Sequence, residues 1–148
     1  MNTLPFLETN IFLRHLRGDH ADFSPGATAL LRRIEQGSLK VRTADTVIFE
    51  TVFTLERFYK QSKEAIRGAF LPLIELPGIV LPGKRRFQGV FGYYIEQNIS
   101  FADAYHAVFM ESLHLTRIVS FDRDFDRIAT VQRVEPDSTG ELINASTS

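Results

Sequence analysis

The chain has no cysteine and no tryptophan, and only two methionines among its 148 residues. Without thiols there is no disulfide, no thiolate metal site and no cysteine nucleophile, and such a composition suits a reducing compartment. An excess of one charge is also missing: 17 Lys and Arg stand against 18 Asp and Glu, for a net charge of −1. A protein that grips a long duplex by its phosphates carries a basic excess, so any nucleic-acid contact here must be local. No uncharged run approaches the ~20 apolar residues of a membrane span. The opening MNTLPFLETN has neither the basic stretch nor the apolar core of a secretion signal. The expectation is a soluble, cytoplasmic protein that meets no membrane. Glycine-rich phosphate loops, dinucleotide glycine patterns and G-x-S-x-G elbows are absent. That removes most nucleotide-hydrolase, dehydrogenase and serine-hydrolase readings.

What is present is a hydrophobic fraction of 44% with thirteen Phe, enough to build a core in one domain of this length. Short, mostly apolar runs predict strands near 4–7, 39–41, 79–81 and 117–120, and Gln132-Arg133-Val134 reads as the fifth. Helices are predicted over 9–16, 24–36, 45–59, 63–71, 84–97, 100–113 and 124–128. Ser24 is expected as an N-cap with Pro25 behind it and Gly37 at the far end. Pro72 is expected to stop its helix. Strands separated by helices imply an α/β fold, a central parallel sheet of about five strands sandwiched by helices in three layers. The domain is expected over 1–136, with a loose, Ser/Thr-rich tail over 137–148.

Four acids fall where such a fold gathers its strand ends: Glu8, Glu50, Asp103 and Asp122. Glu8 and Asp122 close apolar runs, and ligands of open α/β sheets bind just outside the carboxyl ends of the strands. Two like charges at ~4 Å repel by about 4 kcal/mol at an effective dielectric of roughly 20. Converging carboxylates therefore need a cation, and hard oxygen donors select Mg²⁺ or Mn²⁺. Each acid also has a purely structural reading. Glu50 is the one ionisable group in VIFETVFTL; it is a buried metal ligand, half of a salt bridge, or part of a polar stripe with Thr54 and Arg57. Asp103 lies three residues after Ser100 and suits a capping box. Asp122, Asp124 and Asp126 suit a turn, with Asp126 expected to do no more than start the short helix. Glu8 suits the start of the first helix. His106, three residues after Asp103, is either a metal partner or a half-exposed helical histidine. Lys84, Arg85 and Arg86 are candidates for contacts to an RNA backbone.

Taken in order, these pieces resemble the PIN-domain ribonucleases, and most closely the VapC-type toxins of toxin–antitoxin pairs. The resemblance runs from the opening strand to Val134. It rests on Phe6-Leu7-Glu8-Thr9-Asn10, on Glu50, on Phe101-Ala102-Asp103-Ala104 and on Ser120-Phe121-Asp122-Arg123-Asp124-Phe125. The resemblance implies a PIN-like α/β/α fold, an acidic pocket for Mg²⁺ or Mn²⁺ built from Glu8, Glu50, Asp103 and Asp122, and endonucleolytic cleavage of RNA. In-line attack by a metal-activated water is the implied chemistry. Asn10, Ser120 and Asp124 would orient the carboxylates and that water. Implied partners are RNA, a cognate antitoxin and a second copy in a homodimer. The chain departs from the pattern at one place: the family's first acid is Asp, and here it is Glu8, whose carboxylate reaches about one C–C bond, ~1.5 Å, further out. Two rivals follow. One is a PIN-fold binding module whose site Glu8 impairs. The other resembles phospho-acceptor receiver domains, against which stand the single acid after the first strand and the missing lysine near Asp122.

Overall fold

The computed structural model describes residues 3–145. The chain divides into two compact units, Met1–Arg85 and Arg86–Ser148. In the first unit the order is helix α1 (Thr9–Arg17), α2 (Ser24–Glu35), strand β1 (Val41–Arg42), α3 (Asp45–Arg57), α4 (Lys63–Ile74) and β2 (Ile79–Val80). Strands β1 and β2 pair in parallel, Val41 with Ile79 and Arg42 with Val80. The extended segment before α1 adds to the other edge of β1 through a parallel bridge from Phe6 to Arg42. There the Leu7 N–H donates to the Arg42 carbonyl at 2.7 Å and the Arg42 N–H to that of Pro5 at 2.9 Å. The predicted first strand is therefore a single bridge, because Pro5 has no N–H to extend the ladder.

Helix α3 shows how pattern becomes packing. Val47, Ile48, Thr51, Val52 and Leu55 are buried, a stripe of the period expected of a helix with one core face. Glu50 falls on the opposite side and is exposed, as is Arg57, with Thr54 half-buried. The expected burial of Glu50 is thus corrected: the polar-stripe reading describes this helix. The Phe12 and Phe70 rings meet edge to face at 5.0 Å, tying α1 to α4.

Two local expectations change. Ser24 is the first residue of α2, not its N-cap, which is Phe23. The Ser24 hydroxyl donates instead to the Arg14 carbonyl at 2.7 Å, and accepts from the His20 N–H at 3.1 Å. Pro72 does not stop α4, which runs on to Ile74. A helical proline costs about 3 kcal/mol, but Ile74 is fully buried and Leu71 nearly so, and each buried side chain returns about 1.5–3 kcal/mol.

The second unit holds α5 (Arg86–Glu96), α6 (Phe101–Ser112), β3 (Arg117–Val119), a 3₁₀ helix (Arg123–Arg127), β4 (Gln132–Pro136) and β5 (Leu142–Asn144). Rings from α5 and α6 form its core: Phe101 meets Phe91 at 4.9 Å and Tyr94 at 5.3 Å. Strands β3 and β4 run parallel, whereas β4 and β5 are antiparallel, in the order β3-β4-β5. The segment expected as a loose tail therefore contains a strand. Its turn is organised by Asp137, whose carboxylate accepts from Thr139 at 2.8 Å and Glu141 at 3.0 Å. Residues 146–148 of that expected tail lie outside the described residues.

Candidate metal centre

Asp103 stands in the first turn of α6, where the N-cap Ser100 accepts the Asp103 N–H at 3.1 Å. Asp122 follows β3 and caps the 3₁₀ helix, its Oδ1 accepting the Asp124 N–H at 2.9 Å. The Asp122 N–H is in turn held by the Ser120 hydroxyl at 2.9 Å, and the Ser120 N–H donates to the Val134 carbonyl at 3.0 Å. A chain of hydrogen bonds from β4, through the Ser120 backbone and hydroxyl, thus fixes the Asp122 loop.

The outcome is a cluster. Asp103, Asp122 and Asp124 each offer a carboxylate oxygen, and these atoms lie within 4.8 Å of one another. Asp122 is exposed and the other two are half-buried. Burial pushes the Asp103 carboxyl above the usual carboxylate range, and the Asp122 charge adds to that, while the Ser100 hydroxyl and His106 pull the other way. Both burial and a neighbouring anion disfavour the charged form, and a cation beside it would relieve both. Three oxygen donors so close together form a hard, anionic set that fits Mg²⁺ or Mn²⁺. Asp124, expected only to orient the others, offers a ligand atom of its own; Arg127 stands 3.8 Å from its Oδ1.

The remaining expected residues sit as follows. Glu8 caps α1, its carboxylate accepting the Asn10 N–H at 3.1 Å, and both residues are exposed. Glu50 is exposed on α3 and makes no ion pair with the described residues, so the salt-bridge reading falls. His106 is exposed and outside the carboxylate cluster. Lys84 is corrected as an RNA contact. Its ammonium donates to the Leu76 and Ile79 carbonyls at 2.7 and 3.0 Å, and burial holds its pKa below the usual lysine range. Arg86 donates to the Tyr105 hydroxyl at 3.1 Å.

Sequence reasoning missed the role of Asp126. It receives Arg133 on β4 in a bidentate pair, at 3.0 and 3.2 Å. Arg133 is only 2% exposed and also bonds Glu135 and, at 3.2 Å, the Ser120 carbonyl. These acids hold its guanidinium charged well above the ordinary arginine value. Arg133 thus braces the residue that orients Asp122. The one available signal was an arginine within the predicted fifth strand.

A carboxylate cluster beyond the carboxyl end of a parallel strand defines a class of α/β protein equipped to hold divalent cations. The chain belongs to the PIN domain family, which matches residues 6–131. PIN domains are a nuclease fold and generally use a divalent metal. No curated protein matches the chain. No helix among the described residues is long and apolar enough to cross a membrane.

Proposed function

We propose that this protein is a Mg²⁺- or Mn²⁺-dependent endoribonuclease and the toxin of a VapC-type toxin–antitoxin pair. The observation that carries the reading is the Asp103–Asp122–Asp124 cluster inside a PIN-family match. By the family pattern Glu8 and Glu50 would complete the ligand set; each is exposed, and Glu50 makes no ion pair with the described residues.

A bound divalent cation supplies Lewis-acid charge for an in-line displacement at phosphorus. The chain's own residues do the rest. Asp103, Asp122 and Asp124 would hold the cation, whose charge would offset their repulsion of the phosphodiester. Ser120 keeps the Asp122 loop in register through its hydroxyl. Asn10 anchors the Glu8 carboxylate through its backbone N–H. The longer Glu8 side chain is the ground for the second reading, a PIN module that binds RNA or a partner with a weakened site. Exposed Phe53 and Phe58 at and beyond α3, 65% and 75% accessible, support a surface for the antitoxin or a second copy.

Cleavage of structured RNA with Mn²⁺ decides between them. Asp122→Asn is expected to lose more than the 10–100-fold typical of an outer ligand-orienting group. Glu8→Asp is expected to tighten Mn²⁺ binding and raise cleavage. Full cleavage by Asp122→Asn would refute the site. A native chain that is inactive until Glu8 becomes Asp would establish the impaired module.

A further inference from the structure

A groove between α1 and α2 carries chemistry that the metal centre does not use. It encloses about 380 Å³ and is lined by Asn10, Ile11, Arg14, Phe23, Gly26 and Ala27, with Asp22 at its side. Phe23 is 61% exposed. Its ring stacks flat on His20, centroids 4.4 Å apart and planes 6° from parallel, and the His20 Nδ1 accepts the Phe23 N–H at 3.0 Å. The aromatic surface is therefore held in place before anything binds. Arg14 uses its carbonyl, which accepts from Ser24 and Gly18, but its guanidinium makes no hydrogen bond or ion pair with the described residues. The neighbouring Arg17, by contrast, pairs with Asp19 and lies over Tyr59. The exposed Asn10 side-chain amide makes no hydrogen bond with the described residues, and its backbone N–H is the one that Glu8 accepts. The groove thus begins two residues from a carboxylate of the proposed ligand set.

We propose that this groove is a subsite for one unpaired nucleotide of the RNA substrate. The base stacks against Phe23, Arg14 takes an adjoining phosphate, and Asn10 with Asp22 reads the base edge. A rigid aromatic face, an unpaired guanidinium and a free amide are what single-stranded RNA recognition asks for. The volume lies at the small end of ligand pockets, room for one base rather than a helix. A single such contact also fits a chain with net charge −1, which has no basic excess for gripping long stretches. An apolar protein partner would leave the Arg14 charge unmatched, so the groove favours RNA. The inference rests on the nuclease reading above.

The test is fluorescence anisotropy of a short, labelled, unpaired RNA in EDTA, where no metal-dependent cleavage occurs. Phe23→Ala is expected to weaken binding about 5- to 150-fold, the loss of one stacked base. Gly26→Leu should weaken it similarly without harming the fold: a Cβ at Gly26 meets nothing within 4 Å, and Leu is the better helix former. Arg14→Gln should flatten the salt dependence by about 0.7, one single-strand phosphate, which a merely structural role would not do. Asp122→Asn should bind at least as tightly as the native chain while failing to cleave. Unchanged RNA affinity in Phe23→Ala and Gly26→Leu would overturn the subsite and leave the nuclease reading standing; a shift of oligomeric state in its place would assign the groove to protein. A native chain that binds no unpaired RNA overturns it too. Loss of binding in these variants of a chain that never cleaves would support the groove and sink the nuclease.

Discussion

Replacing Asp103 by Asn gives opposite results with and without metal, and the structure sets the size of the effect. Carboxylate oxygens within 4.8 Å repel by about 3.5 kcal/mol at an effective dielectric of 20 and about 0.9 kcal/mol at that of water. Asp122 is exposed and Asp103 only half-buried, so solvent screening pulls the value toward the lower figure, roughly 1–1.5 kcal/mol. Against this stands the helix dipole, which favours an acid in the first turn of α6 by about 0.3–1 kcal/mol. The Ser100 cap is untouched, because it accepts the backbone N–H of residue 103. Repulsion wins by a narrow margin. In EDTA at neutral pH, Asp103→Asn should therefore melt at or slightly above the native chain, by up to about 4 °C, since 1 kcal/mol shifts the midpoint of a domain this size by roughly 2–4 °C. In saturating Mn²⁺ the order should reverse: the native chain gains stability by mass action, and the variant gains little. Paired calorimetric melts in EDTA and Mn²⁺ read both halves. A variant clearly less stable in EDTA, or one that Mn²⁺ stabilises as much as the native chain, would refute the crowded-carboxylate account.

Two further predictions concern the frame around the site. At Gly78 an added Cβ would lie 2.8 Å from Ile34 Cγ2 and 3.0 Å from the Leu39 carbonyl, so Gly78→Ala should cost about 1–3 kcal/mol in urea unfolding, and a stability gain would show that α2 has room to yield. Burial and the Glu111 hydrogen bond raise the Tyr93 phenol above its ordinary value of 10.0. That contribution is complete below pH 10, since the unfolded phenol titrates there, and is lost as pH rises through the higher folded value. Tyr93→Phe should remove this part of the alkaline decline in stability, and identical pH profiles would dismiss the coupling.

Much of the framework was legible because its causes are local. Ser100 before Phe101 caps α6, apolar spacing predicts the buried face of α3, and β2 and β3 fall on short apolar runs between turn signals. These depend on hydrogen bonds and periodicities within a few residues, which order along the chain determines. Asp103 and Asp122 were likewise picked out at the ends of such elements, whereas Asp124 was expected only to orient them.

Other features depended on what a distant stretch of chain places opposite a residue. The wealth of apolar neighbours made Glu50 look buried, but only the packing of α3 decides which face meets the core, and that face excludes it. Pro72 reads as a stop until the burial of Ile74 outweighs it. Ser24 reads as a cap until the Arg14 carbonyl claims its hydroxyl. Residues 137–145 are polar enough to look loose, yet β4 offers an unpaired edge and β5 fills it. Asp126 and Asp124, two residues apart, are alike in sequence; Arg133 takes the first and the carboxylate cluster the second. By itself the sequence determined the elements and the acids that punctuate them, since these are matters of local bonding. Which acid takes up the buried Arg133 and which joins the other carboxylates was decided by tertiary structure, because charge compensation depends on distance in space.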